Sequence, residues 1–377
     1  MKSYNCKIDH FSMILPPNLV TNEMLFNRIS LHKLAEKIGK DAFLQIHEDN
    51  RLSTAQTQFP LSPESFEAVT LIKQRYQYNA GDSIIDKSTD VLRKALLEAG
   101  WDPMDLDFVI FSSVSDGYPT KSQKIPTIAC AVQERIGAYK AWAYDMKAAC
   151  SGWVYPVQQA TAFIHSGMAK KGAIIVVEMS DAGLEYTNER SCTLIGDVAT
   201  ATLLSFSEEP GIFDIKCEAN TGDPNIKSDL ITLGYQTNEL HDESDFYPFK
   251  DVTTTSKPSL PHDPFKLKGK SVYAGGIKEM TRHTKSNLKS SDELFNKSPD
   301  WFVYHQANGA MLMKILMDLQ LDPTKHFYNV DKLANTIGAT IPSVLSEDWK
   351  RVQVGDIVSI VAFGGGITSG RLLVKKL

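Results

Sequence analysis

Four short stretches carry residue types that could act together on a carbonyl carbon. The first, "YDMKAACSGW" (144–153), places Cys150 between small residues where a strand-like segment gives way to a helix-like one. The others are "HQAN" at 305–308, Asn335 in "ANT", and "FGGG" at 363–366. A cysteine attacks as the thiolate, and a helix start or a neighbouring His favours that form. The tetrahedral oxyanion that follows needs preorganised N–H donors. A glycine-rich turn can aim backbone amides at it without side-chain obstruction. Asn is a donor that cannot ionise, and His can donate or accept near neutral pH. Alone, each has an ordinary structural reading as an inert thiol, a cap or a loop. Their order and spacing together point to a thiol nucleophile with a stabilised oxyanion.

The elements that must position these residues can be read from periodicity. Apolar runs at "DFVIFSS" (107–113), "GAIIVVEM" (172–179), "ATATLLSF" (199–206), "WFVYH" (301–305) and "DIVSIVAF" (356–363) predict buried strands. Helical spacing predicts helices in "STDVLRKALLEAG" (88–100), "IPTIACAVQERIG" (125–137), "GWVYPVQQATAFIHSG" (152–167) and "GAMLMKILMDLQL" (309–321), the first three closing at Gly. Strands apolar on both faces and alternating with helices predict a mostly parallel sheet covered on both sides. The pattern also repeats. "DFVIFSS", helix, "AWAYDMKAAC", helix, "AIIVVEMSD" parallels "DWFVYHQA", helix, "HFYNVDKLAN", helix, "IVSIVAFGGG". Cys150 lies 26 residues before Val176 and Asn335 lies 25 before Ile360, so the two occupy corresponding places in two similar halves. In open α/β sheets ligands bind beyond the carboxyl ends of strands, where these polar residues fall. Residues 28–69 and 207–270 are polar with weak periodicity, and read as surface loops, a lid or a dimer contact.

The bulk numbers set bounds. The chain has 377 residues, 42% of them hydrophobic, enough for one large α/β body or two fused lobes. A net charge of −5 argues against a general nucleic-acid binder. The five cysteines, Cys6, Cys130, Cys150, Cys192 and Cys217, are widely spaced with no CxxC pair. That pattern predicts a reducing cytoplasm, no disulfide framework and no metal site. No apolar run reaches the length of a membrane span.

With these motifs in place the chain resembles the ketoacyl–acyl-carrier-protein synthase III group of the thiolase superfamily. "DMKAACSGW" resembles that family's nucleophile motif and "WFVYHQAN" its histidine motif. "ANTIGATIP" resembles its Asn-Thr-x-x-Ala-x-x-Pro motif, "AFGGGITSG" (362–370) its C-terminal glycine turn, and "GDVATATLL" (196–204) its Gly-Asp-Gly-Ala strand. The resemblance implies a five-layered αβαβα fold of two pseudo-duplicated halves, placed here at 1–206 and 207–377, and a homodimer. It implies that Cys150 takes an acyl group from an acyl-CoA or acyl-carrier-protein thioester. The amides of Cys150 and Gly365 would form the oxyanion hole. His305 and Asn335 would stabilise the enolate formed when a malonyl-type (or β-ketoacyl) thioester on acyl carrier protein loses CO2, and the carbanion would attack the acyl-enzyme. It further implies substrate contacts at Ile125 for the acyl pocket, Arg190 for the nucleotide of CoA, and Gly275 and Gly276 for the pantetheine arm. No resident cofactor is expected beyond these thioester substrates.

Some positions depart from the family pattern. The usual adenine-stacking Trp cannot be placed in "TNEMLFNRIS" (21–30), and a long insertion precedes "TLIKQRY" (70–76). Ala310 stands where some members carry a carrier-docking Arg, with Lys314 one turn later as a substitute, and Lys147 replaces a small residue beside the nucleophile. These departures suggest a specialised member rather than the housekeeping initiator of fatty acid synthesis, within fatty acid or specialised metabolite biosynthesis. A non-decarboxylating acyltransferase or head-to-head condensing relative is the alternative. A non-catalytic heterodimer partner fits less well, because Cys150, His305 and Asn335 are all present.

Overall fold

The computed structural model describes residues 2–27, 62–79, 81–115, 126–180, 193–219, 231–232, 266–267 and 269–377. Its strands are β1 Ser3–Tyr4, β2 Cys6–Ile14, β3 Asn18–Thr21, β4 Gln74–Gln77, β5 Phe108–Ser112, β6 Trp142–Met146, β7 Lys171–Glu178, β8 Val198–Phe206, β9 Ile212–Ala219, β10 Ile231–Thr232, β11 Lys266–Leu267, β12 Trp301–Tyr304, β13 Ile357–Gly364 and β14 Thr368–Lys375. Two five-stranded sheets form the frame, ordered β2-β8-β7-β5-β6 and β1-β9-β14-β13-β12.

The two sheets share one wiring. In the first, β5 pairs in parallel with β6 and β7, and β8 runs antiparallel to both β7 and β2. In the second, β12 pairs in parallel with β13, and β14 runs antiparallel to both β13 and β9. The place that β6 takes in the first sheet shrinks in the second to a single parallel bridge, Phe302 with His326. The duplication read from the sequence is therefore a duplication of topology. The sheets are mixed and not mostly parallel as expected. The reason lies in the connections: β13 and β14 are joined by the three-residue turn Gly365–Ile367, and so tight a link forces the chain to reverse.

Helices fill the three remaining layers. Helices α1 Pro63–Thr70, α2 Ile84–Ala99, α3 Ile128–Ile136, α4 Val154–His165, α5 Gly269–Phe295, α6 Gly309–Asp318, α7 Val330–Leu333 and α8 Thr340–Asp348 follow in chain order. α2 and α3 cover the outer face of the first sheet, burying Val91, Leu92, Ala129 and Val132 against Val109 and Ile175. α4 and α8 lie between the sheets, where Val157, Ile341 and Val344 meet Ile174, Val303 and Ile360. α5 and α6 cover the outer face of the second sheet, with Met280, Leu312 and Ile315 against Val361 and Phe363. This is the five-layered αβαβα order. Each fully buried Leu, Ile, Val or Phe contributes about 1.5–3 kcal/mol of transfer free energy.

Two stretches read as loops contain regular structure. β9 lies inside 207–270, and α1 lies at the end of 28–69. The rest of both stretches falls largely outside the described residues.

Candidate active site

Cys150 sits in a 3-10 turn, Ala149–Ser151, between β6 and α4. The helix start expected there comes four residues later, at Val154. Trp153 anchors the turn from below. It is fully buried, and its indole Nε1–H donates to Thr202 Oγ1 on β8 at 2.9 Å. Ala149 is held at φ 45°, a left-handed conformation that is costly for an alanine. Three further non-glycine residues at the site share that strain: Ala334 (φ 58°), Ile337 (φ 51°) and Ile367 (φ 57°). They flank Asn335 and close the glycine turn. Strain of about 1–3 kcal/mol per residue persists only where surrounding structure fixes it, and it collects at functional sites.

The glycine turn closes on the cysteine. A Cβ on Gly364 would lie 2.7 Å from both Cβ and N of Cys150, so only glycine lets β13 end against the nucleophile turn. Thr368 ties the two turns together, its hydroxyl lying 3.1 Å from the carbonyl of Ala148 and 3.0 Å from that of Gly365. The backbone amides of Gly365 and of Cys150 itself act electrostatically on the Cys150 sulfur, each pulling its pKa down. Both residues expected to form the oxyanion hole thereby act on one atom.

Electrostatically the resting sulfur is a thiol. Burial first, and the Glu178 carboxyl second, push the Cys150 thiol up to about 12, outweighing the two amides that pull it down. The expectation of a thiolate activated by the helix start is not met at rest, because desolvation of a buried anion exceeds what two amide dipoles return. Cys150 itself remains partly open to solvent.

His305 follows β12, and its N–H donates to the carbonyl of Val361 at 2.9 Å. Its ring is buried, which holds it well below its ordinary value, at about 3, so the imidazole is neutral. Nδ1 lies 2.8 Å from Thr340 Oγ1, and that hydroxyl lies 3.2 Å from the carbonyl of Ile337. The hydroxyl carries one proton. When it is given to Nδ1, Nε2 bears the imidazole proton and becomes a donor. Asn335 is joined to the first half of the chain: its N–H donates to the carbonyl of Leu194, and the N–H of Gly196 donates to its carbonyl. Its Oδ1 accepts from Ile337 N–H at 2.9 Å, leaving the amide NH2 as the free donor end. His305, Asn335 and Cys150 thus meet through Ile337, Gly338 and Thr340, and a Cβ on Gly338 would lie 3.0 Å from the carbonyl of Ala149.

The remaining motif residues divide by role. In "HQAN", Gln306 donates to the carbonyl of Tyr304, and Asn308 caps α6 by accepting from the amides of Ala310 and Met311. Asp145, of the nucleophile motif, caps α3 from β6 by accepting from the amides of Ile128 and Ala129 at 3.0 and 2.8 Å. Asp197 accepts from the amides of Tyr78 and Ser180, a structural tie. Gly275 and Gly276 lie inside α5, where a Cβ on Gly276 would sit 3.3 Å from the Phe363 ring. Their evident effect is to let α5 approach the strand that ends at Gly364. Ile125 and Arg190 lie outside the described residues. Lys147 is exposed at the end of β6, and Lys314 is ion-paired with Asp318.

Among the described residues, Glu218, Glu279 and His283 come within ligating distance of one another. Arg282 donates to both carboxylates and to His283 Nε2, so a guanidinium fills the space between them. Among the described residues no helix is long and apolar enough to cross a membrane.

The Gly364 contact gives a direct test. Gly364→Ala is expected to displace the Cys150 turn by several tenths of an ångström. Covalent loading of Cys150 should fall about 10- to 100-fold, the scale set by small misplacements of reacting groups. Circular dichroism should show a folded protein, destabilised by about 1–3 kcal/mol. Wild-type loading by this variant would show that the close approach is not required.

Comparison with known proteins agrees with this geometry. Residues 144–221 match the family model described as 3-oxoacyl-[acyl-carrier-protein (ACP)] synthase III, and residues 290–376 match its C-terminal counterpart. The chain is 30% identical over 318 residues to a β-ketoacyl-[acyl-carrier-protein] synthase III of Streptococcus thermophilus, covering 83% of this chain and 91% of that one. A Clostridium perfringens protein of the same name is 29% identical over 378 residues, covering 98% and 99%. Among solved structures, the 3-oxoacyl-[acyl-carrier-protein] synthase III of Aquifex aeolicus superposes with a TM-score of 0.75 at 24% identity, covering 98% of this chain and 99% of that one. The priming β-ketosynthase of the R1128 polyketide biosynthetic pathway superposes with a TM-score of 0.76 at 19% identity, covering 100% and 97%. With the duplicated thiolase fold, the thiol under two amides and a relative this similar over nearly its whole length, the chain belongs to the β-ketoacyl-[acyl-carrier-protein] synthase III family of condensing enzymes.

Proposed function

We propose that this chain forms a carbon–carbon bond in two stages, both centred on Cys150. In the first, the Cys150 sulfur attacks an acyl thioester carried by CoA or by acyl carrier protein. The new S–C bond forms as the old one breaks, and the thiol proton leaves with the departing carrier. The carbonyl oxygen is negative in the tetrahedral intermediate, and the amides of Cys150 and Gly365 would stabilise that charge. In the second stage a malonyl-type thioester loses CO2. The electron pair of the broken C–C bond becomes an enolate, whose oxygen Asn335 and the Nε2–H form of His305 stabilise. The enolate carbon attacks the acyl-enzyme carbonyl, the S–C bond breaks, and Cys150 leaves as a thiolate that takes a proton from solvent to return to the thiol. Neutral donors suit this step, since they favour the developing enolate without forming a salt bridge to the starting carboxylate.

The observation that carries the proposal is the closure of the glycine turn on the nucleophile turn, where a Cβ on Gly364 would lie 2.7 Å from both N and Cβ of Cys150. The relatives are named for acyl carrier protein, and we extend that carrier to this chain. The homodimer is supported by β6, the terminal strand of the first sheet, whose Trp142 is exposed. A second copy laid along that edge would continue the sheet across a two-fold axis. The scattered cysteines of the sequence support a reducing, cytoplasmic setting.

The test is intact mass after mixing the protein with a panel of acyl-CoA and acyl-carrier-protein thioesters. One added acyl group, followed by its loss on addition of malonyl thioester with release of CO2, is the expected result. Loading without decarboxylation would make the chain an acyltransferase, and no adduct from any donor would overturn the loading step.

A further inference from the structure

Glu178 ends β7 and is wholly buried. Its Oε2 accepts from Ser113 Oγ at 3.1 Å, Val114 N–H at 3.2 Å and Ser115 Oγ at 2.9 Å, all in the loop that follows β5. Its Oε1 accepts from Gly338 N–H at 3.4 Å, in the turn that follows Asn335. A Cβ on Gly338 would lie 3.2 Å from Glu178 Oε1 and 3.0 Å from the carbonyl of Ala149, so carboxyl and nucleophile turn close on the same residue. A buried carboxylate is costly unless its oxygens are satisfied, and here four donors from two halves of the chain do so.

We propose that Glu178 is a positioning residue of this site: one carboxyl that ties the loop after β5 to the turn carrying Asn335 and, across Gly338, lies beside the nucleophile turn. This rests on Cys150 being the reactive thiol. Few other charges face the group. Among the described residues, Ser113, Val114, Ser115 and Gly338 carry no charge, Cys150 is the titratable group of the nucleophile turn, and Asp197 beside β8 accepts from the amides of Tyr78 and Ser180. His305, reached through Ile337, is neutral.

The charge gives the role a signature that a purely structural residue would lack. Burial pushes the Glu178 carboxyl up to about 8, while Ser115, Val114, Ser113 and Gly338 pull it down. Below pH 8 the carboxyl is neutral and leaves Cys150 unaffected. Above pH 8 it is an anion and opposes the thiolate.

The experiment is the pH dependence of Cys150 alkylation by iodoacetamide, with the modified cysteine located by peptide mass. It needs no acyl substrate, so its failure is distinct from failure of the proposed reaction. Glu178→Gln is expected to match wild type at pH 6–7 and to react about 3- to 10-fold faster at pH 9–10, equivalent to about half to one unit of thiol pKa. With its oxygen kept on Gly338 N–H, the new amide can donate to the Ser113 and Ser115 hydroxyls, at the cost of the Val114 N–H contact. Superimposable profiles would overturn the proposal. Ser115→Ala supplies a second measure should the glutamine variant not fold. Losing one donor keeps the carboxyl neutral to higher pH, so the break in the profile should move upward, and an unmoved break would likewise overturn it.

Discussion

Replacing Cys150 with alanine is expected to eliminate the acyl adduct with every donor that labels the wild-type protein. No other described thiol stands under two converging amides. Condensation should fall by about 10³- to 10⁶-fold, the range found when a covalent nucleophile is removed. The fold should survive, because the change removes a single atom and costs about 1 kcal/mol. Trp153 and the Thr368 tie remain to hold the turn. Decarboxylation of a malonyl-type thioester should persist in this variant, since His305 and Asn335 are untouched. CO2 release without product is therefore the decisive pair of readings, taken by coupled assay and intact mass on the same sample. An adduct on Cys150→Ala would move the nucleophile elsewhere, and loss of both activities would mean that the sulfur also supports the decarboxylation site.

The sequence made most of the apolar frame legible. The five strands read from continuous apolar runs are β5, β7, β8, β12 and β13, and the four helices read from periodicity are α2, α3, α4 and α6. Those elements are buried on two faces or carry a wide apolar stripe, so their pattern is unambiguous. The strands that escaped have mixed signals. β2 changes register between Ile8 and His10, which breaks its alternation, and β9 buries only its first residues. β14 begins directly after the glycine turn Gly365–Ile367, with no polar break to mark a separate strand. The sheets were read as mostly parallel because strand burial alone does not report direction. Direction comes from connection geometry, which at Gly365–Ile367 is too short for a crossover.

Candidate residues stood out where chemistry and a family motif coincide, at Cys150, His305, Asn335 and Gly365, and the fold brings their turns together. It was not legible where a functional group sits inside an apolar run. Glu178 closes "GAIIVVEM" and there looks like the polar end of a strand. The available signal was a carboxylate at the carboxyl end of a buried strand, the end at which such sheets bind ligands. Thr340 was equally hidden, since only the fold brings it to His305. The thiol state of Cys150 was also beyond the sequence, because it depends on how far burial outweighs two amides.

Replacing His305 with alanine is expected to separate the two chemical stages. Decarboxylation should fall by about 10²- to 10⁴-fold, the usual weight of a positioned acid–base or oxyanion donor. Acyl loading should fall by less than about 10-fold, since the amides at the sulfur stay in place. The pH profile adds a second reading. A buried imidazole held near 3 stays neutral throughout the working range, so wild-type decarboxylation should show no acid limb near the ordinary histidine value. Stability carries the opposite sign. The unfolded chain binds a proton at His305 below about pH 6.5 and the folded protein does not until about pH 3, so stability is full above 6.5 and is lost as the pH falls through that window. Burial depresses His326 and His283 to about 4 in the same way, and their contributions fade over a similar interval. His305→Ala should therefore lose stability less steeply than wild type between pH 6.5 and 4, measured by denaturant titration at each pH. Equal loss of loading and decarboxylation would contradict the division of labour between the glycine turn and the His305–Asn335 pair. An acid limb near 6.5 that disappears in the variant would show that the imidazole is charged during turnover, and would make it a proton carrier in place of a neutral donor.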